Sequence, residues 1–284
     1  MKKHRFLMTS KHYIHPMTLT GSRLIIVLIL PLLLIVACAT SPLGRSQLAF
    51  FPENQLQEMG ELSFANLKKE QEVVTDTAIN TYVTCVADHI VKVLGDSQQQ
   101  WEVTVFDADQ ANAFALPGSK IGVYKGLLDV AVTQGQLAAV IGHEVAHVKA
   151  DHGNERISTN YAAEAGLSLI NAALNNDPQA QRRVMGLLGV GVQVGVLLPY
   201  SRAQENEADL LGLDYMARAG FDPRQATDLW QNMSKAGGSK PPEFLSTHPA
   251  SENRIESLQK RMPHAMELYR EAQAQGRNPH CSRP

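Results

Sequence analysis

The chain has few cysteines, few aromatic residues and no strong charge of either sign. Three cysteines in 284 residues are too few for a disulfide-stapled scaffold. Aromatic residues are only 6% of the chain, so the 44% hydrophobic content is mostly aliphatic, as in an ordinary globular protein. The formal net charge is −2. Without a basic footprint the chain is not expected to bind nucleic acid. It has no low-complexity segment and no internal repeat. Two apolar runs, Leu24–Ala37 and Val184–Leu198, both fall short of the roughly 20 residues that span a bilayer. The second is rich in glycine. It reads as buried helix, with membrane-surface contact as the alternative.

The first run has a distinct context. Residues 1–23 hold Lys2, Lys3, Arg5, Lys11 and Arg23 and no acidic residue. A basic stretch before a short apolar core has the pattern of a secretory signal. The core ends in Ile35-Val36-Ala37-Cys38, which resembles a bacterial lipobox. The resemblance implies cleavage before Cys38 and lipidation of its thiol; the alternative is an uncleaved N-terminal anchor. Met17 is a second candidate start. Removing residues 1–37 takes away those five basic residues and moves the net charge from −2 to −7. Lipid rather than a polybasic patch would then hold the chain to a membrane. Lipidation of Cys38 leaves Cys85 and Cys281, which an oxidising compartment allows to pair; two unrelated thiols are the alternative.

The expected organisation is a signal over 1–37, a lipidated tether over 38–52 and one domain over 53–284. Helices are expected over 53–71 and from Asp76, a candidate cap, to Gly95, with Ile79, Tyr82, Val83, Val86, Ile90 and Val93 as its apolar stripe. Trp101–Phe106 alternates like a strand, and Lys120–Tyr124 reads as another after the turn at Pro117-Gly118. Further helices are expected over 135–150, stopped by Gly153, over 202–219, from Asp222-Pro223, and after His248-Pro249. This is an α+β, mainly helical pattern.

The strongest chemical signal is His143-Glu144-Val145-Ala146-His147. Histidines four apart lie on one helical face, where their ring nitrogens can share a zinc ion. Glu144 lies about 100° round the helix, outside the metal's inner sphere but able to take a proton from a bound water. The flanking residues are apolar nearly all round, so the helix should be buried. Burying two imidazoles and a carboxylate without partners is costly, and a metal gives each a role. A catalytic zinc has three protein ligands and one open position. Glu205 and Asp209, four apart, share a face on a downstream helix, while Glu207 points elsewhere. Glu205 is the chosen third ligand. Asp209 fits as acceptor for the far nitrogen of a ligand histidine.

HEVAH followed by SRAQENEAD resembles the HtpX-like zinc metallopeptidases, whose pattern is HExxH with a downstream ExxxD. The resemblance covers roughly residues 55–262. It is nearer to periplasmic lipoprotein members such as LoiP and to the catalytic part of BepA, on Asn112–Gly118 and Phe244–Pro249 as well. It implies a zincin-like domain with a small sheet beside the HExxH helix, and one zinc per chain on His143, His147 and Glu205. It further implies Glu144 as catalytic base and Asp209 as supporting acid. No helical-repeat domain follows the motifs, which implies the single-domain type. His248 stands where relatives carry a histidine able to plug the open metal position, and Arg254 where they carry an arginine that steadies an oxyanion. A turn histidine and a surface arginine are the alternatives. Asn112, Ala113 and Phe114 are expected on an edge strand to which an extended peptide could add through its main chain. His89 and His152 are read as structural or solvated, and His4, His12 and His15 fall in the leader.

The expected activity is metal-dependent hydrolysis of peptide bonds in misfolded or unassembled envelope proteins, at the periplasmic face of a bacterial outer membrane. Two other readings stand beside it. One is an assembly or chaperone factor with latent proteolysis; the other is a zinc-stabilised binding lipoprotein without turnover.

Overall fold

The computed structural model describes residues 38–95, 100–173, 200–236, 243–249 and 253–284. The signal segment 1–37, the apolar run 184–198 and the loop 237–242 lie outside the described residues. Ala39–Pro284 forms one compact unit.

Strands β1 (Cys38–Thr40) and β2 (Ser46–Leu48) form a small sheet of their own, followed by helices α1 (Glu53–Glu70) and α2 (Thr77–Lys92). Asp76 caps α2 as expected, accepting the N–H groups of Ala78 (2.8 Å) and Ile79 (3.1 Å). The apolar stripe of α2 is its buried face, and Tyr82, Val83, Val86 and Ile90 enter the main core. Next come β3 (Glu102–Phe106), β4 (Ala113–Leu116), β5 (Lys120–Tyr124) and a short 3₁₀ turn, Lys125–Asp129.

These strands make a sheet in the order β3-β5-β4, with β3 parallel and β4 antiparallel to β5. Strand β4 is therefore an edge. Gly122 on β5 has no side chain because the ring of Phe114 fills the space; an added Cβ would meet it at 2.2 Å. Phe114 thereby closes an aromatic cluster with Phe64, Phe106 and Tyr124.

Among the described residues the helices that follow are α3 (Gln134–Lys149), α4 (His152–Ala173), α5 (Arg202–Arg218), α6 (Arg224–Ala236), the short α7 (Glu243–Thr247) and α8 (Arg254–Ala274). Helix α3 is the centre of the unit. It is buried from Gly135 to His147 and packs on α2, β4, α5 and α6. The mainly helical α+β class with a small sheet beside the histidine helix is the one observed. Among the described residues no helix is long and apolar enough to cross a membrane.

Two expectations are corrected. Gly153 does not stop the histidine helix. The chain turns at Asp151, whose φ of 55° is left-handed, and Gly153 already lies in the first turn of α4. Aspartate tolerates that conformation better than most side chains. Nor do residues 39–52 behave as a loose tether. Ser41 and Gln47 are buried, Gln47 Nε2 donates to the Ala150 carbonyl (3.1 Å), and the Phe50 N–H donates to Ser158 Oγ (2.8 Å). Polar residues carry this docking, so no hydrophobic periodicity announced it. Cys85 and Cys281, a candidate pair in the sequence, are joined by a disulfide with Cα atoms 5.8 Å apart.

Candidate metal centre

Thr133 caps α3 by accepting the Gln136 N–H (3.2 Å), which starts the helix in the register that stacks His143 over His147. Their Nε2 atoms lie 3.1 Å apart. Helix α5 starts with a capping box, Ser201 and Gln204 each bonding the other's backbone N–H. It crosses α3 where Gly142 faces Gly212. A Cβ on Gly212 would lie 2.7 Å from the His143 nitrogen, so only glycine permits this approach.

The close crossing carries Glu205 to the histidines. Its oxygens lie 3.5 Å from His143 Nε2 and 3.3 Å from His147 Nε2. His248, just beyond α7, places Nδ1 3.2 Å from His143 Nε2 and 3.0 Å from Glu205 Oε1. His143, His147, Glu205 and His248 are all buried, and their ligand atoms fall within 4.8 Å of one another.

This donor set fits a zinc ion. Four ligands at about 2.0–2.2 Å in a tetrahedron stand about 3.3–3.6 Å from each other, and the separations here are close to that edge. The far nitrogens support the same conclusion. His143 Nδ1 meets Asp209 Oδ1 at 2.9 Å, which leaves Nε2 as the lone-pair donor. Glu144 is buried beside the group, and its Oε1 has no hydrogen-bond partner among the described residues. It lies 3.4 Å from His248 Nε2.

The electrostatics favour positive charge at the centre. Burial lowers the pKa of His143, but hydrogen bonds to Asp209 and Glu205 outweigh it and raise the pKa to about 10. Burial pulls His147 well below its ordinary value, so it is neutral. Burial alone would raise Glu205, yet its bonds to His143, His147 and His248 hold it below the carboxylate range. Glu144 is raised, chiefly by burial, while His248, His143 and the backbone N–H of Ala115 pull the other way. A carboxyl group moved up toward neutrality suits proton transfer.

The structure brings together His143, Glu144, His147, Glu205, Asp209, His248 and Arg254. Arg254 does not sit where an oxyanion could reach it. It is buried, with Nε on Asp209 Oδ2 (2.5 Å), Nη2 on Glu205 Oε2 (2.5 Å), Nη1 on the His248 carbonyl (3.5 Å) and its face on Trp230 (3.9 Å). All three nitrogens are occupied, so its place is behind the carboxylates.

The edge strand is also revised. The Tyr124 N–H donates to the Asn112 carbonyl (2.9 Å), which sets the antiparallel alternation. Asn112, Phe114 and Leu116 spend their main chain on β5, and Phe114 is packed in its aromatic cluster. The main chain of Ala113 and Ala115 turns away from β5 while their side chains are buried, and Ala115 was missing from the expected set. Its N–H bonds to Glu144, linking edge strand and candidate base.

Sequence reasoning missed four more residues. Tyr200 stacks on His147 (centroids 3.9 Å) and, with Phe244, sandwiches His248 at 5.6 and 4.6 Å. His152 and Glu207 are buried behind His147. Lone aromatics and histidines outside a motif carry no spacing signal. Glu207 was set aside because it faces away from Glu205, and it does, but toward His152.

Comparison with known proteins gives these features a context. The model of peptidase family M48 matches residues 77–262. The mitochondrial metalloendopeptidase OMA1 of Schizosaccharomyces pombe is 38% identical over 186 residues, covering 65% of this chain and 53% of that protein. The OMA1 of Arabidopsis thaliana is 32% identical over 249 residues, 84% of this chain and 48% of its own. The beta-barrel assembly-enhancing protease of Yersinia pestis is 25% identical over 225 residues, 77% and 46% of the two chains. The chain spans about half the length of these relatives. The expected likeness to the bacterial assembly-enhancing branch is thus present, but the OMA1 proteins share more identity.

Proposed function

The chain belongs to peptidase family M48, and on that footing we propose that it is a zinc-dependent metalloendopeptidase. We propose further that a lipid on Cys38 holds it at the periplasmic face of the outer membrane. Its substrates are misfolded or unassembled envelope proteins. The observation that carries the activity is the buried convergence of His143, His147 and Glu205 beside a Glu144 oxygen with no hydrogen-bond partner among the described residues. The location rests on the lipobox-like Ile35–Cys38, and the substrate class on the likeness to a protease named for β-barrel assembly.

His143, His147 and Glu205 would hold the ion. Zinc bound in such a site lowers the pKa of water and polarises a carbonyl. Asp209 keeps the His143 proton on Nδ1, so that Nε2 faces the cluster. Glu144 takes a proton from the attacking water and returns it to the departing amine. The carbonyls of Ala113 and Ala115, whose N–H groups are already held by Asn112 Oδ1 and Glu144, would accept from the main chain of an extended substrate, which selects backbone rather than side chains. Casein cleavage that stops on adding a chelator, and that Glu144→Gln abolishes while zinc content is retained, tests the assignment. Full activity in Glu144→Gln would sink it.

A second reading is favoured by one observation. His248 lies within 3.4 Å of Glu144 and 3.2 Å of His143 Nε2, where it competes with water. The protein would then act first as an assembly or quality-control factor, with proteolysis held in reserve. Faster casein cleavage by His248→Ala supports this, and an unchanged rate counts against it.

A further inference from the structure

The two histidines of α3 are supported differently. The Nδ1 of His143, facing away from the cluster, meets a carboxylate directly, that of Asp209. The Nδ1 of His147 does not. It lies 2.9 Å from Nδ1 of His152, and His152 Nε2 lies 3.2 Å from Glu207 Oε2. Only one proton arrangement satisfies this chain when His147 offers Nε2 to the cluster. His147 Nδ1–H donates to the bare Nδ1 of His152, and His152 Nε2–H donates to Glu207. The carboxylate is displaced by one imidazole from the usual histidine–carboxylate pair.

The chain of contacts continues into the segment after Cys38. Glu207 accepts the Leu43 N–H and Arg45 Nε, both at 3.1 Å. The other two guanidinium nitrogens of Arg45 grip Glu155 on α4, at 2.5 and 2.6 Å. Glu155 accepts Gln204 Nε2 (2.7 Å), next to Glu205 in the first turn of α5. Residues 43–45 therefore join α4 and α5 on the side of the site away from Asp209.

We infer that His152, Glu207 and Arg45 are positioning residues that fix the tautomer and orientation of His147 as a metal ligand, so that the segment after Cys38 is part of the metal site. The inference rests on the metal-binding reading above. Without the Glu207 charge, His152 no longer has a fixed acceptor for Nε2–H. Both imidazoles can then exchange tautomers, and His147 with its proton on Nε2 cannot bind a metal through that nitrogen, the one that faces the cluster.

The test measures zinc affinity of the full purified chain by competition with a chromophoric chelator. His152→Phe, Glu207→Gln and Arg45→Met are compared with the parent, together with the visible spectrum of each protein loaded with cobalt. Glu207→Gln changes charge but not size, so it serves if His152→Phe does not fold. Melting of the metal-free proteins separates a lost ligand from a lost fold. His152→Phe and Glu207→Gln should each weaken zinc binding about 10–100-fold, with Arg45→Met weaker in effect. The His152→Phe/Glu207→Gln double variant should lose no more than the worse single one, because both act on one chain of hydrogen bonds. An altered cobalt spectrum in Glu207→Gln would locate the effect at the ligand. Zinc affinities that match the parent, or single losses that add in the double variant, would overturn the inference. A parent protein that takes up no zinc overturns this and the metal reading together. A parent that binds zinc with the expected variant pattern but cleaves no casein upholds the relay and removes only the peptidase reading.

Discussion

Replacing Arg254 with methionine tests whether this arginine serves the fold or the reaction. The guanidinium is buried between Asp209 and Glu205, bonded to each at 2.5 Å, and lies on the face of Trp230. Methionine has similar bulk and preserves the packing on Trp230, but leaves two buried carboxylates without their cation. Removing one partner of a buried ion pair costs about 3–5 kcal/mol, because the remaining charge is uncompensated. For a unit of this size each kcal/mol moves the melting temperature by about 2–4 °C, so Arg254→Met should melt roughly 6–20 °C lower without metal. Zinc should restore part of the loss, since a divalent ion neutralises Glu205, while Asp209 keeps His143 Nδ1–H on Oδ1 but has no cation on Oδ2. Calorimetry of the apo and zinc-loaded proteins reads both quantities. An Arg254→Met protein that melts within about 2 °C of the parent, yet has lost cleavage, would refute this reasoning. The arginine would then act on the reaction, as the family resemblance first implied.

Two further perturbations address how the site is assembled. Gly212→Ala forces a methyl group to 2.7 Å from the His143 backbone nitrogen, so it should cost about 1–3 kcal/mol and weaken zinc binding by moving α5 from α3. Gly153→Ala, with nothing within 4 Å of the added carbon, is the matched control, and equal melting temperatures for the two would contradict the packing argument. The Cys85–Cys281 disulfide spans a sequence separation of 196, for which chain entropy gives an upper figure of about 5 kcal/mol. Denaturant midpoints of the Cys85→Ser/Cys281→Ser protein should fall accordingly, and midpoints unchanged from the oxidised parent would count against that mechanism.

Much of this protein was determined locally. The four-residue spacing of His143 and His147 places both rings on one face of any helix, wherever that helix packs. Asp76 and Ser201 carry their own capping chemistry, and the alternation over 102–106 shows a strand before any partner is known. The spacing of Glu205 and Asp209 likewise put them on one face of α5, on opposite sides from Glu207. What spacing could not decide was which groups meet across the molecule. Asp209 reaches His143, and Glu207 reaches His152, only because Gly142 and Gly212 let α3 and α5 touch. Arg254 could be read as a surface residue or an oxyanion contact, until the packing of α8 on α5 buried it against two carboxylates. Residues 39–52 have neither helical nor strand periodicity, so their docking onto α4 and α5 was invisible. A motif fixes the angles between neighbours along the chain, whereas the second layer around a metal is set by close approach between elements tens of residues apart.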